Sequence, residues 1–349
     1  MDYRRILAAA AAIFVALGAT SCKDDDDDTT SSDYLDGSIS FVLPAFIEPG
    51  DVYTLTPTGV SRLSTDDCED GLGYCWSIDP IATANDTVRY ESDGPEIKPD
   101  YTLTVPDTLC TITVTCTAFA NGYYSSSADV SSIIVRTSGE ERSLQGVKYE
   151  GTKLFKDARD GKEYHYTAVG DREWFVDNLA YESAGKPFFN AKAMTDVFGM
   201  YYTWDDAVKA CPEGWRLPSN SDFMALHNTI CSDVETDDMA DFYGNAGDCM
   251  ADAYLNETKL WEYWPTVKIT NKTGLSMLPT GYAQISEDGA FAFTGSSEYF
   301  TCWVSDEYNA EKGCYRYVYT DKPNIMLGAA GKKDFATAIR CVRDSAEAK

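Results

Sequence analysis

The sequence is poor in histidine, in basic residues and in long apolar runs. Only two histidines, His165 and His227, occur in 349 residues, which excludes a metal site or a catalytic centre built from several histidines. Lysine and arginine number 29 against 56 aspartates and glutamates, so the formal net charge is −27. Because nucleic-acid affinity depends on cationic side chains, nucleic acid is excluded as a partner. The longest apolar run, residues 6–17, is shorter than the roughly 20 residues of a transmembrane helix.

Apolar residues and cysteines, by contrast, are plentiful. Hydrophobic residues make up 44% of the sequence, which is enough for packed cores and argues against global disorder. The length of 349 residues corresponds to about two ordinary domains. The cysteines number eleven, and this odd number indicates that one of them has a role other than an internal disulfide.

The amino-terminal segment predicts an exported, lipid-modified protein. A basic pair, Arg4-Arg5, precedes the apolar run, and small residues lead directly to Cys22. This order is typical of a bacterial lipoprotein, so we expect residues 1–21 to be a signal peptide and Cys22 to carry the lipid. The alternative is an ordinary signal peptide with a chance cysteine. Residues 22–33 include five adjacent aspartates, which repel one another and predict a solvated tether.

The acidic run also bears on localisation. Directly after a lipidated cysteine, it resembles the signal that sends Bacteroidetes lipoproteins to the outer face of the outer membrane. We therefore expect an outer-membrane lipoprotein that faces the cell surface, with a periplasm-facing anchor as the alternative. A chain this acidic gains nothing from anionic lipids, so the acyl chains on Cys22 must supply the attachment to outer-membrane lipid.

Residues 34–137 show the pattern of an all-β module. Short β-rich segments are separated by proline, glycine and asparagine, and apolar residues alternate with threonines from Cys110 to Cys116. Short strands with this punctuation indicate a β-sandwich. The strand with Cys75-Trp76 and the strand that ends at Cys116 resemble the core pair of bacterial immunoglobulin-like domains.

The cysteines of this module allow a limited deduction. Six residues of strand span about 20 Å, whereas bridged Cα atoms lie about 4.4–6.8 Å apart, so Cys110 and Cys116 cannot pair with each other. If two bridges form, Cys68 and Cys75 pair with Cys110 and Cys116. The sequence leaves the order of pairing open.

Residues 147–344, between a polar linker at 138–146 and a tail at 345–349, carry a different set of signals. Two short helices are predicted here, each beginning with a capping box, Thr203 with Asp206 and Ser219 with Asp222. A series of eight short motifs runs through the region in a fixed order, namely Asp160-Gly161, Trp174, Asn178-Leu179, Tyr202-Thr203-Trp204, Cys211-Pro212-Glu213-Gly214-Trp215-Arg216-Leu217-Pro218, Leu278-Pro279-Thr280-Gly281-Tyr282, Trp303-Val304-Ser305 and Arg340-Cys341-Val342.

This series resembles the Fibrobacter succinogenes major paralogous (FISUMP) domain, which occurs in many Bacteroidetes and Fibrobacteres surface lipoproteins. The resemblance covers more than half of the chain and implies a relative of the C-type lectin-like fold, a mixed domain with two helices and a long irregular loop region. We therefore expect a mainly β protein in which an immunoglobulin-like β-sandwich precedes a C-type lectin-like α+β domain.

The same resemblance implies a disulfide between Cys211 and Cys341, because a cysteine beside a helix pairs with one in the last strand of this fold. Cys302 and Cys314 flank a predicted hairpin and are candidates to pair across it. This leaves Cys231 with Cys249, whose loop of about 18 residues would contribute roughly 3 kcal/mol by loop closure. In an exported domain six cysteines favour structural bridges over ligands or nucleophiles.

Ligand binding is predicted for aromatic residues outside the family pattern. Trp261, Tyr263 and Trp264 lie in the long-loop region, which is the usual ligand face of this fold, and such side chains suit sugar stacking or protein contact. Packing beneath the loops is an equal alternative. The strings nearest to the calcium motifs of C-type lectins are unsuitable, since one has Lys322 where an oxygen ligand is needed and the other, around Asp306, lacks the asparagine. We assign no metal and no cofactor.

The fold relationship also suggests an enzyme of the formylglycine-generating type, which needs a reactive thiol. Each cysteine after Cys22 has an expected partner, and both histidines are expected to be structural, so we assign no catalytic residue. The sequence predicts a lipid-anchored, non-enzymatic surface protein that binds a glycan or a surface protein. The alternative is a structural or fimbria-like surface component without a small ligand.

Overall fold

The computed structural model describes residues 33–63, 72–80, 88–89, 100–120, 122–182, 185–261 and 267–345. Cys22, Cys68, Tyr263 and Trp264 lie outside these ranges, as does the predicted signal peptide. The chain divides into two compact units, residues 1–135 and 136–349. None of the helices in the described ranges has the length and apolarity that a membrane crossing requires.

The described residues of the first unit form strands and no helix. Its strands are β1 (Asp33–Tyr34), β2 (Asp36–Ser40), β3 (Phe46–Ile47), β4 (Val52–Leu55), β5 (Thr58–Ser61), β6 (Gly73–Asp79), β7 (Val88–Arg89), β8 (Tyr101–Thr104), β9 (Thr111–Phe119), β10 (Tyr123–Tyr124) and β11 (Ser126–Ile134). A five-stranded sheet has the order β3-β11-β9-β6-β7, and β1-β10, β2-β5 and β4-β8 form two-stranded sheets.

The core of this unit follows the predicted alternation along β9. Ile112, Val114 and Cys116 are buried, while the threonines between them are only half-buried. Trp76 lies directly opposite Cys116 on the neighbouring strand and is fully buried. Its indole stacks on Tyr101 with ring centroids 5.7 Å apart. Apolar side chains on one face of the sheet therefore form the core.

The predicted pairing of Cys75 with Cys110 or Cys116 is not formed, because all three are free thiols. Successive side chains of a strand point to opposite faces, so Cys75 faces away from Trp76 and hence away from Cys116. Cys75 lies opposite Thr117, seven residues along β9 from Cys110, a distance of about 23 Å in a strand. Cys68, the other candidate, lies outside the described residues.

The second unit mixes strands with short helices. Its strands are β12 (Leu144–Gln145), β13 (Lys153–Lys156), β14 (Glu163–Val169), β15 (Arg172–Phe175), β16 (Lys186–Pro187), β17 (Met200–Tyr202), β18 (Tyr254–Leu255), β19 (Thr258–Lys259), β20 (Tyr282–Ile285), β21 (Phe291–Thr294), β22 (Tyr299–Glu307), β23 (Lys312–Tyr319), β24 (Met326–Gly331), β25 (Phe335–Ala338) and β26 (Val342–Asp344). Its α-helices are α1 (Thr195–Phe198), α2 (Trp204–Ala210) and α3 (Asn220–Ile230), and single 3-10 turns cover Phe188–Asn190, Lys192–Met194 and Ala246–Asp248.

The described residues of this unit form four sheets. Their strand orders are β12-β18-β19, β13-β14-β15-β26, β16-β17-β25-β20-β21 and β22-β23-β24. A large apolar cluster collects buried side chains from the last three of these sheets and from α2 and α3. Leu144, within the predicted linker at 138–146, is buried, and its strand β12 pairs with β18. The end of the predicted linker is therefore part of the second unit.

Both predicted helix starts are confirmed. Thr203 precedes α2, and its side chain accepts a hydrogen bond from the Asp206 N–H. Ser219 precedes α3 and forms a reciprocal capping box with Asp222. Such side chains satisfy the first N–H groups of a helix, which have no partner within it.

The disulfide implied between Cys211 and Cys341 is confirmed, with Cα atoms 5.8 Å apart. The predicted bridge between Cys302 and Cys314 is not formed. Cys302 lies opposite Arg316, which places Cys314 at a diagonal position in the next strand. Diagonal Cα atoms are about 7–8 Å apart, beyond the range of a disulfide.

The pairing of Cys231 with Cys249 is likewise not formed. The sulfur of Cys231 lies 3.4 Å from the carbonyl oxygen of Gly244. Cys249 is fully buried in the apolar cluster of the second unit.

Candidate functional site

The motif positions around Asn178 and Arg340 support the fold. Arg340 is buried and donates from Nε to the side-chain oxygen of Asn178 at 2.9 Å. It also donates to the backbone carbonyl oxygens of Leu275 and Ser276. The indole of Trp303 is fully buried and donates to the carbonyl oxygen of Tyr202, in β17, at 3.0 Å. The side chains of Asn178, Trp303 and Arg340 are therefore held by hydrogen bonds that support the fold.

Trp261 does not offer the exposed stacking surface that the sequence suggested. It is 1% exposed, and its indole N–H donates to the carbonyl oxygen of Met277 at 3.2 Å. The alternative of packing beneath the loops is correct for this residue. Tyr263 and Trp264 lie outside the described residues, so their part of the prediction stays a prediction.

The two strings that were compared with calcium motifs are occupied by other contacts. Asp306 accepts the backbone N–H of Asn220 at 2.7 Å, at the start of α3. Glu307 pairs with Lys332 at 2.9 Å, and the side-chain oxygen of Asn324 accepts the Gly244 N–H at 3.0 Å. In the described part of the chain, no group of three or more His, Cys, Asp or Glu side chains is placed to hold a metal ion.

A cleft of about 240 Å³ lies in the second unit. It is lined by side chains from five short segments, which lie within residues 142–149, 162–165, 176–180, 195–199 and 276–278. Strand β14 and the chain just after β15 both contribute lining residues, and the Val176 N–H bonds to the His165 carbonyl oxygen at 2.8 Å. Pairing that continues past β15 brings Asp177 beside His165.

Asp177 is the centre of the polar network in this cleft. Its Oδ1 accepts the hydroxyl proton of Tyr149 at 3.0 Å. Its Oδ2 accepts the backbone N–H of His165 at 2.6 Å and faces the Nδ1 of the same residue at 2.9 Å. The carboxylate therefore holds both aromatic side chains in place. In a neutral His165 the ring proton lies on Nδ1, which donates it to Asp177.

Tyr149 lies between a histidine and a guanidinium group. Its ring centroid is 4.1 Å from that of His165, and the guanidinium carbon of Arg142 lies 4.6 Å from the ring centroid. Burial and then the charge of Asp177 raise the pKa of Tyr149 above its usual value. The phenol therefore stays protonated and keeps donating to Asp177.

His165 leaves one ring nitrogen for a ligand. With Nδ1 at Asp177, its Nε2 has no partner among the described residues, and the side chain is 31% exposed. At the rim, Lys162 pairs with Asp196 at 2.9 Å, and Glu163 is exposed. The cleft thus combines an aromatic surface with donors and acceptors of hydrogen bonds.

The residues that line this cleft supply no activated nucleophile. The hydroxyl oxygen of Ser276 accepts the Lys148 N–H at 3.0 Å and the Asn271 side-chain amide at 2.8 Å. Thr195 directs its hydroxyl to the sulfur of Met200. An activated hydroxyl would need a basic partner within hydrogen-bond distance, and the contacts of Ser276 and Thr195 provide none.

The other histidine and the free thiols of this unit also show no sign of reactivity. His227 is buried, and its ring stacks on Phe242. Burial lowers its pKa, which favours the neutral form. Burial raises the pKa of the Cys249 and Cys302 thiols to about 12, whereas reactive cysteines have lowered values.

Sequence reasoning missed Asp177 and Tyr149. Asp177 stands next to Asn178 in a family motif and gave no signal of its own, and Tyr149 lies near the start of the unit. The polar, aromatic strand from Glu163 to Val169 was the one available signal, since a half-polar strand indicates a face that is open to solvent.

Comparison with known proteins identifies a family for most of the second unit. A protein-family model described as the Fibrobacter succinogenes major domain matches residues 167–343, more than half of the chain. No curated protein and no solved structure matches the chain. Of the three central cleft residues, Asp177 lies within the matched region, while Tyr149 and His165 precede it.

Proposed function

Since the chain belongs to the Fibrobacter succinogenes major domain family, we propose that it is a lipid-anchored cell-surface protein whose second unit binds an extracellular ligand without catalysis. The ligand is a glycan or a protein. The single observation that carries the binding function is the cleft around Asp177, where three side chains are fixed by hydrogen bonds and one histidine nitrogen is left without a partner.

The proposal includes a C-type lectin-like fold for the second unit and an immunoglobulin-like spacer for the first. The bridge from Cys211, just after α2, to Cys341, just before β26, supports the former, because it joins a helix to the last strand. The buried Trp76 opposite Cys116 supports a β-sandwich core for the latter. Under this proposal, the first unit holds the second away from the membrane.

Anchoring depends on Cys22 and orientation on the aspartates that follow it. Cells that express the full chain are expected to incorporate a labelled fatty acid into the protein, and the Cys22→Ser variant is expected to lose the label. Protease added to intact cells is expected to digest the protein if it faces the surface. Protection from protease would favour the periplasmic orientation.

Binding is tested with the purified full chain on a glycan array and against extracts of surface proteins. A defined glycan or protein that binds reproducibly supports the proposal. The Trp264→Ala variant serves as a comparison, because loss of binding there would place the ligand on the long loop instead of the cleft. No ligand in either assay, together with self-assembly of the chain, would favour a structural or fimbria-like component.

A further inference from the structure

We propose that the cleft around Asp177 binds one neutral sugar unit through its side chains alone, without calcium. The inference rests on the proposed ligand-binding function and names both the ligand class and the place where it binds. Its three supports are the charge of the lining, the mixture of hydrogen-bonding groups and the size of the cleft.

The lining charges disfavour an ionic ligand. Arg142 and Lys162 face three carboxylates, those of Glu163, Asp177 and Asp196, so the cleft has no excess of positive charge for a phosphate or a carboxylate. A cation is disfavoured as well. Both oxygens of Asp177 already accept hydrogen bonds, and Asp196 is paired with Lys162. The charges of the lining therefore favour a neutral ligand.

The available polar groups suit hydroxyl groups. A hydroxyl both donates and accepts, so it can meet the guanidinium of Arg142, the carboxylate of Glu163 and the free Nε2 of His165 in one small space. These three side chains line the same cleft. The partly exposed imidazole of His165, tilted by 44° against the Tyr149 ring, adds an aromatic surface of the kind that packs against carbon-bound hydrogens of a sugar ring.

The size of the cleft suits a single sugar unit. Its volume of about 240 Å³ is below the roughly 300–1,000 Å³ of pockets that bury drug-sized ligands. Asp177 holds His165 and Tyr149 before the ligand arrives, so little side-chain ordering opposes binding. Asp177 is thus a positioning residue, and His165 is the residue that touches the ligand.

Titration calorimetry on the full chain provides the test, with methyl glycosides of neutral hexoses and of N-acetylglucosamine as probes. Glucuronate and inorganic phosphate are the charged probes. Binding of one neutral glycoside is expected to persist in excess EDTA, and the charged probes are expected to bind more weakly. Loss of binding in EDTA, or tighter binding of glucuronate, would overturn the inference.

The variant His165→Phe keeps an aromatic ring but removes both ring nitrogens, the free Nε2 and the Nδ1 that faces Asp177. Loss of the hydrogen bond between Nε2 and the ligand is expected to weaken binding about three- to tenfold. The control Tyr243→Phe changes an exposed ring outside the cleft lining and is expected to bind as the unchanged chain does. If His165→Phe fails to fold, Arg142→Gln carries the same expectation. Unchanged affinity in a folded cleft variant contradicts the inference.

Failure of this inference is distinguishable from failure of the proposed function. If the full chain binds an arrayed glycan or a surface protein and the cleft variants bind it equally well, the chain is a binding protein with another site. If the full chain binds neither glycans nor proteins, both proposals fail.

Discussion

The Nε of Arg340 donates a hydrogen bond to the side-chain oxygen of Asn178 at 2.9 Å, across a sequence separation of 162 residues. The amide of Asn178 in turn donates to the carbonyl oxygen of Phe198 at 2.9 Å. Burial lowers the pKa of Arg340 to about 10, and the charge of Asp177 opposes this shift. Two family motifs that are distant in the sequence therefore meet at the buried guanidinium of Arg340. Asn178, which accepts its hydrogen bond, directly follows Asp177 in the chain.

Replacement of Asn178 by alanine is expected to lower the free energy of unfolding by about 2–4 kcal/mol, because a buried guanidinium N–H and a buried carbonyl lose their partner. Urea unfolding followed by tryptophan fluorescence measures the effect. Asn309→Ala is the matched control, since Asn309 is exposed and bonds only to backbone N–H groups of its own turn at 2.9 Å. Equal losses in the two variants would contradict the role of the buried pair.

The disulfide between Cys211 and Cys341 closes a loop with a sequence separation of 130. Loop-closure entropy predicts that the double variant Cys211→Ser, Cys341→Ser unfolds with about 5 kcal/mol less free energy than the bridged chain. The double variant Cys302→Ser, Cys314→Ser is the control for loss of cysteine without loss of a bridge. Alkylation of the denatured, unreduced protein is expected to modify Cys302 and Cys314. A peptide that joins these two cysteines would contradict the structure.

Asp222 makes stability depend on acid pH. Burial opposes its charge, but hydrogen bonds from Arg216, Ser219 and Arg172 outweigh that effect and lower the pKa of its carboxyl well below the usual range. A lowered folded-state pKa contributes stability above the unfolded value of about 3.9, and this contribution is lost as the pH falls below it.

The Asp222→Asn variant is therefore expected to be less stable by about 3 kcal/mol at pH 7, with a difference that shrinks between about pH 4 and pH 2. Thermal unfolding across this range measures it. Asp171→Asn removes a carboxylate that is 58% exposed and pairs with Arg172, and it is expected to cost less than about 1 kcal/mol. A difference between Asp222→Asn and the unchanged chain that is independent of pH would contradict the assignment.

Replacement of Trp261 is expected to lower the stability of the fold and not to act directly on ligand binding. Its indole is buried, so Trp261→Ala removes a large side chain from the apolar cluster and is expected to lower the free energy of unfolding by about 3–5 kcal/mol. Tyr243→Ala, at a side chain 70% exposed, is expected to change it by no more than about 0.5 kcal/mol. A stable Trp261→Ala chain with reduced ligand binding would restore the original prediction for this residue.

The sequence predicted correctly the features that depend on interactions between neighbouring residues along the chain. The reciprocal capping of Ser219 and Asp222 involves neighbours along the chain, so the residue types alone predicted it. Asp160-Gly161 lies in the turn between β13 and β14, where glycine adopts the positive φ of 80° that this position has. The alternation along β9 follows from the two-residue period of a strand.

The sequence did not determine features that depend on how strands and loops are placed relative to one another. Whether Cys302 reaches Cys314 depends on strand register, and a diagonal offset separates them. Whether Trp261 is exposed depends on how the loops fold over it. In the structure its indole N–H donates to the carbonyl oxygen of Met277. Neither relation has a periodic signature that a single sequence could carry.

The sequence by itself determined the family, the helix starts, the alternation of the core strands and the bridge implied for Cys211 and Cys341. The tertiary structure decided which polar groups face one another. His165 and Asp177 meet because β14 and the chain after β15 run side by side, and Tyr149 joins them through its hydrogen bond to Asp177. Periodicity records which side chains are buried, but the position of a binding cleft depends on contacts between distant segments.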